Sequence, residues 1–162
     1  MSKAKQPIVN PTPNSPPSVA VLSPSVPDLD RAIVAFHFAY LAVIAEADEL
    51  LHTHGFGRAH HKILYFVARN DLPTTSALRE FLGVTRQALQ RPVNELHKAA
   101  LLETTVGVSD RRLHVLRLTD AGRKLERQAT APIRSVFSRA FGQVSPVEAD
   151  AWLKVTMLLK AG

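Results

Sequence analysis

Apolar positions along this chain recur at two different periods, and the switch between them marks its organisation. Leu29, Ile33, Phe36, Tyr40, Leu41, Ile44 and Leu51 fall at three- and four-residue spacing. That spacing lays one apolar face along a helix. It predicts a helix from Asp28 or Asp30 to about His54, stopped by Gly55 and Gly57. Ile63, Leu64, Phe66 and Val67 mark a second helix over residues 58–69, and "NDLP" ends it. Two closely spaced helices follow in "TTSALREFLGVTRQALQ". Thr74 can cap the first, which ends at Leu82, and Thr85 can cap the second, because a threonine hydroxyl accepts an orphan N–H. Gly83 between them permits the positive φ of a sharp turn. Two helices joined in this way form a helix-turn-helix, a unit that docks on DNA.

The period drops to two in residues 101–119, "LLETTVGVSDRRLHVLRLT". Thr104, Thr105, Val106 and Val108 favour strand, and Leu113 to Thr119 alternate. "GVSDR" between them is turn chemistry. The segment predicts a β-hairpin whose tip carries Ser109, Asp110, Arg111 and Arg112. The helical period then returns from Thr119 or Asp120 to about Phe141, with Pro132 expected to bend that helix. Ser145, Pro146 and Glu148 match an N-cap, a first-turn proline and a capping-box acid, and open a last helix. The fold class is mainly α with a small β-hairpin: a winged helix-turn-helix domain plus a helical dimerisation region. The expected division is 57–119 for the former and 28–56 with 120–162 for the latter.

Pro92 lies inside the second helix of the helix-turn-helix. A proline there removes a backbone donor and costs about 3 kcal/mol. A helical wheel places Pro92 with Leu89, Val93 and Leu96 on the core side. The helix has the cap and the stripe to continue past it, so a bend is expected rather than a break. Gln87, Arg91, Asn94 and Lys98 fall on the opposite side, with Gln90 flanking and Arg86 nearer the core edge. Amides and guanidinium groups are the side chains that pair with adenine and guanine edges in the major groove. Gln87, Gln90, Arg91 and Asn94 are the candidate base contacts. Thr74, Thr75, Ser76, Thr85, Arg86 and Lys98 are the candidates for phosphate and local positioning contacts. At the hairpin tip, Arg111 or Arg112 can enter the adjacent minor groove.

Charge supports this placement. The formal net charge is +6. Residues 58–127 hold 13 Lys/Arg and 7 Asp/Glu, so all of the excess lies in one segment, and an anionic partner, with nucleic acid first, is expected. Residues 1–27 hold seven of the 11 prolines and show no periodicity, which predicts a disordered arm. There are no cysteines, so thiolate zinc sites, disulfides and cysteine nucleophiles are excluded. No apolar run approaches the ~18 residues of a membrane span, and the proline-rich start lacks a signal-peptide core. A cytoplasmic location is the expectation.

The element order and two motifs resemble the MarR family of winged-helix regulators. The family pattern at the hairpin is D-x-R followed by L-T-x-x-G, and Asp110, Arg112, Leu118, Thr119 and Gly122 match it with the same spacing. "LREFLGVT" is similar to the family's helix-turn-helix at Leu78, Leu82, Gly83 and Thr85. Arg79 departs from it, standing where the family more often has an alanine packed under the turn. The resemblance covers about residues 28–160. It implies a homodimer that binds double-stranded DNA at a palindromic operator, usually as a repressor released by a small molecule. It also implies that Arg112 acts at the wing with Asp110 orienting an arginine. Effectors in the family usually occupy a crevice beside the first two helices, where Phe36, His37, Tyr40, His61 and Tyr65 could supply the lining. Aromatic or phenolic acids are the family-level expectation for such a ligand.

"HTHGFGRAHH" places His52, His54, His60 and His61 within ten residues. Imidazoles bind zinc, but the spacing is not that of a compact site, so no metal and no cofactor are expected. An enzyme is not expected, because no nucleophile–base pair, carboxylate pair or phosphate loop stands out. A winged-helix module that uses the same surface on protein remains an alternative. The basic, amide-rich face argues against it.

Overall fold

A computed structural model describes residues 29–106 and 114–161, with side chains to residue 159. The predicted arm and the hairpin tip, including Ser109, Asp110, Arg111 and Arg112, lie outside the described residues. The elements run α1 (Leu29–Thr53), α2 (Arg58–Arg69), α3 (Thr75–Leu82), α4 (Arg86–Lys98), β1 (Leu102–Val106), β2 (His114–Leu118), α5 (Asp120–Phe141) and α6 (Pro146–Ala161). This is the predicted order, mainly helical with one antiparallel hairpin. The chain separates into two compact units, one up to Ala42 and one from Val43 onward.

In the first unit the exposed side chains of α1 are largely apolar. Leu29, Ile33, Phe36 and Tyr40 are all solvent-exposed. In the second unit, Leu51, Ile63, Leu64, Leu78, Leu96 and Leu116 are fully buried. They come from the end of α1, α2, α3, α4 and β2, so each of these elements spends its apolar face on one core. Leu125 and Ala129 of α5 join it. The last helix sits outside this core. Trp152 packs against Phe137 and Phe141 of α5 at ring distances of 5.6 and 5.5 Å. Val147, Val155, Met157, Leu158 and Leu159 remain exposed.

Helix ends follow the predicted caps. The Thr74 hydroxyl accepts from the Ala77 N–H at 3.1 Å, and the Thr85 hydroxyl accepts from the Ala88 N–H at 3.2 Å. Gly83 takes φ 63, ψ 32 and donates its N–H to the carbonyls of Arg79 and Glu80. α4 runs without interruption through Pro92, which is buried. The residue whose carbonyl loses its partner there, Ala88, is itself exposed. α5 likewise continues through Pro132.

The sheet has one feature that the periodicity does not predict. β1 pairs with β2 in the register Leu102↔Leu118 to Val106↔His114. Thr74 forms a further bridge to Val115, and the Leu116 N–H donates to the Pro73 carbonyl at 2.8 Å. The segment before α3 is therefore stitched to the outer side of β2. A single bridge is too short to leave an alternating pattern, and the surrounding "NDLPTT" reads as a turn.

One junction fixes how α4, the hairpin and α5 meet. α4 ends in a Schellman arrangement: the Ala100 N–H donates to His97 at 2.9 Å and the Leu101 N–H to Leu96 at 3.0 Å. Ala100 adopts φ 54 to make it, a conformation usually left to glycine. Thr119 then bonds both ways. Its hydroxyl donates to the Ala100 carbonyl at 2.8 Å and accepts from the Gly122 N–H at 3.0 Å. Its own N–H donates to the Leu101 carbonyl at 3.2 Å. A Cβ on Gly122 would land on that same carbonyl oxygen. The close approach accounts for the glycine of the L-T-x-x-G motif. Helix propensity alone would favour alanine there by about 1 kcal/mol. The collision outweighs it, so Gly122→Ala should destabilise the fold by about 2 kcal/mol. Urea unfolding checks this, and an unchanged or raised midpoint would contradict the packing.

Candidate nucleic-acid interface

α4 presents two faces. Leu89, Pro92 and Leu96 are buried and Val93 is partly so, as the helical wheel requires. Gln87, Gln90, Arg91, Asn94 and Lys98 are exposed and share a shallow depression on the helix surface. Arg86, expected nearer the core edge, is exposed as well. Within the depression the Gln90 amide donates to Asn94 Oδ1 at 3.4 Å, and Arg91 Nε donates to Glu95 Oε1 at 2.9 Å.

A groove beside this face brings the helix-turn-helix and the hairpin base together. Thr74, Thr75, Ser76 and Arg79 line it from α3 and its cap. Arg86, Gln90, Asn94 and His97 line it from α4, and Thr104 and His114 from the strands. The Thr74 and Thr85 hydroxyls each accept a backbone N–H, which leaves each hydroxyl hydrogen able to donate outward. Donors of this kind hold phosphate oxygens. Arg79, His97, Thr104 and His114 are additions to the sequence candidates. Arg79 was legible only as a departure from the family pattern: it lines the groove instead of packing under the turn. His97 Nδ1 donates to the Leu102 carbonyl at 2.8 Å, and its Nε2 meets the Thr104 hydroxyl at 3.2 Å. With Nδ1 donating, a neutral ring accepts from Thr104 through Nε2. The end of α4 is thereby clamped to β1.

The five candidate ligand residues divide between the two units. Phe36, His37 and Tyr40 are exposed on the first part of α1, where the His37 ring meets Phe38 edge-on at 5.3 Å. His61 and Tyr65 are on α2 in the second unit, and there they belong to a polar network. Glu126 of α5, only 4% exposed, accepts from Arg69 Nη1 at 2.7 Å and from the Thr130 hydroxyl at 2.7 Å. Thr130 in turn accepts from His61 Nε2 at 3.0 Å, and the Arg69 guanidinium lies 3.6 Å over the Tyr65 ring. A buried carboxylate needs partners of this kind, and the network ties α2 to α5. Among the described residues, no group of three or more His, Asp or Glu is placed to hold a metal ion, and no helix is long and apolar enough to cross a membrane.

Burial lowers the His61 imidazole from its ordinary value of 6.5; Glu126 opposes this, Arg69 adds to it and Asp48 opposes it. A lowered folded value means that the unfolded chain binds more protons just below pH 6.5. The stabilisation is present above that pH and is lost as pH falls toward the lower folded value. Melting temperature should therefore drop as pH falls below 6.5, and His61→Gln should make that drop shallower. Equal slopes in the two proteins would contradict the assignment.

A capped helix-turn-helix, with an amide- and arginine-bearing second helix beside a β-hairpin, defines a winged-helix DNA-binding protein. Comparisons with known proteins narrow the class. The MarR family pattern matches residues 54–113. The HTH-type transcriptional regulator PetP of Rhodobacter capsulatus is 36% identical over 118 residues, covering 73% of this chain and 71% of that protein. The chain belongs to the MarR family of DNA-binding transcriptional regulators. Solved structures share the fold at lower identity. A point mutant of S. aureus MepR, bound to an oligodeoxyribonucleotide, is 19% identical with a TM-score of 0.55, covering 80% of this chain and 96% of its own. CouR from Rhodococcus jostii RHA1, bound to p-coumaroyl-CoA, is 17% identical with a TM-score of 0.66, covering 82% of this chain and 92% of its own.

Proposed function

We propose that the protein is a homodimeric cytoplasmic repressor of a palindromic operator, released by a small aromatic or phenolic ligand. The observation that carries the reading is the exposed face of α4, with amides and a guanidinium on one side and the hydroxyl-lined groove on the other. Gln87, Gln90, Arg91 and Asn94 meet base edges in the major groove. Thr74, Thr75, Ser76, Thr85, Arg86 and Lys98 hold phosphates, and Arg79 joins them. Arg111 or Arg112 enters the minor groove at the wing, with Asp110 orienting the arginine. Residues 57–119 carry this DNA-binding role, and residues 28–56 and 120–162 carry dimerisation.

Exposed apolar residues support the dimer. Leu29, Ile33 and Phe36 on α1, and Val147, Met157 and Leu158 on α6, are each more than half exposed. A second copy that covers such faces removes them from water, at about 25 cal/mol per Å² of apolar surface. The ligand reading draws support from CouR, a structural neighbour bound to p-coumaroyl-CoA. Family membership supports a regulator rather than an enzyme.

Analytical ultracentrifugation tests the assembly. The full chain at micromolar concentration should sediment as a dimer. On duplexes selected from a random library, two chains should bind two half-sites about 10 base pairs apart, centre to centre. A monomer that binds a single unpaired site would overturn the reading.

A further inference from the structure

The α4 face contains an acid among its DNA-facing donors. Glu95 sits in the same depression as Gln87, Arg91 and Lys98. A carboxylate there opposes the approach of phosphates, so its presence needs a reason. Both of its oxygens are engaged. Oε1 accepts from Arg91 Nε at 2.9 Å, and Oε2 accepts from His60 Nε2 at 2.8 Å. The Arg91 bond first, and the His60 bond second, hold the Glu95 carboxyl below the usual carboxylate range, so it stays an acceptor at neutral pH.

His60 is itself fixed. Its Nδ1 accepts from the Gly57 N–H at 3.1 Å, at the start of α2. Nδ1 therefore carries the lone pair and Nε2 the hydrogen, and the neutral ring satisfies both bonds. Phe56 lies against the ring at 5.0 Å, and the side chain is only 12% exposed. A continuous series of contacts thus runs from the α2 backbone through His60 and Glu95 to the guanidinium of Arg91. The Arg91 side chain is 87% exposed, so the Glu95 bond is its main restraint.

We infer that Glu95 and His60 are positioning residues that set Arg91 to read a guanine. The inference rests on the proposed role of Arg91 as a base contact. Glu95 engages Nε, which leaves the Nη1/Nη2 edge, whose paired N–H groups match O6 and N7 of guanine. Holding the side chain before binding reduces the ordering that binding would otherwise require. The carboxylate also repels every duplex equally. That uniform repulsion lowers general affinity and leaves discrimination untouched, so the preference for guanine comes from the restraint that Glu95 places on Arg91.

Opposite effects on affinity make the idea testable. Wild type, Arg91→Ala, Glu95→Ala and His60→Ala, each as the full chain, are used to select duplexes from a random-sequence library. Binding of each to a fixed random duplex, and its melting temperature, are measured alongside. Wild type should select guanine at one position in each half-site, and Arg91→Ala should lose it. Glu95→Ala should lower the guanine preference by about tenfold while binding the random duplex more tightly. His60→Ala keeps the Glu95 charge and removes its anchor, so it should lower the preference without that rise in affinity. Should Arg91→Ala lose the guanine while Glu95→Ala and His60→Ala keep it, the tether is overturned and the role of Arg91 stands. If Arg91→Ala selects the wild-type sequence, both fail.

Discussion

Gly122 lets the first turn of α5 rest on the carbonyl of Leu101, with no side chain between the two backbones. The rest of the second unit depends on that approach. Leu101 follows the Schellman end of α4 and leads directly into β1. Thr119 closes the return path from β2 and caps α5 with the same hydroxyl that binds Ala100. Three elements, α4, the hairpin and the long α5, therefore share one junction made of backbone hydrogen bonds and the Thr119 hydroxyl. Such bonds have little tolerance in distance, so a small displacement of α5 is passed to the end of α4 and the base of the hairpin.

The exposed face of α4 is held from two further sides. His97 clamps the C-terminal end of α4 to β1, and His60 anchors Glu95 in its last two turns to the start of α2. α2 is in turn bound to α5 through the buried Glu126, Thr130, Arg69 and His61 network. The histidines that cluster in "HTHGFGRAHH" thus divide their work. His60 supports α4 through Glu95 and His61 supports the α2–α5 contact, and neither needs a metal to explain its position. Removing one partner from the buried network leaves a desolvated polar group, which is more costly than losing an exposed pair.

Much of this was legible in the sequence, because periodicity and caps report on local structure. The helices, the turn at Gly83, the passage of α4 through Pro92 and the side it buries all follow from short-range patterns. Long-range polar contacts leave no such trace. Glu126 looks like an exposed acid on a helix face until α2 packs over it. His60 and Glu95 are 35 residues apart, and only the fold brings them to 2.8 Å. The Thr74–Val115 bridge is one residue long, so no alternation could announce it. Arg79 was visible as a departure, but its place in the groove depended on how α3 packs. Of the site, the α4 donors were readable by helical geometry, while the groove residues His97, Thr104 and His114 required the hairpin to be placed.

Everything proposed for this surface turns on α4 entering the major groove with Gln87, Gln90, Arg91 and Asn94 toward the bases. A structure of the full chain bound to a selected duplex tests it most directly. These side chains should lie within hydrogen-bond distance, about 3 Å, of base edges, with Thr74, Thr75 and Ser76 on flanking phosphates. A complex in which α4 faces solvent, or touches only phosphates, would contradict it.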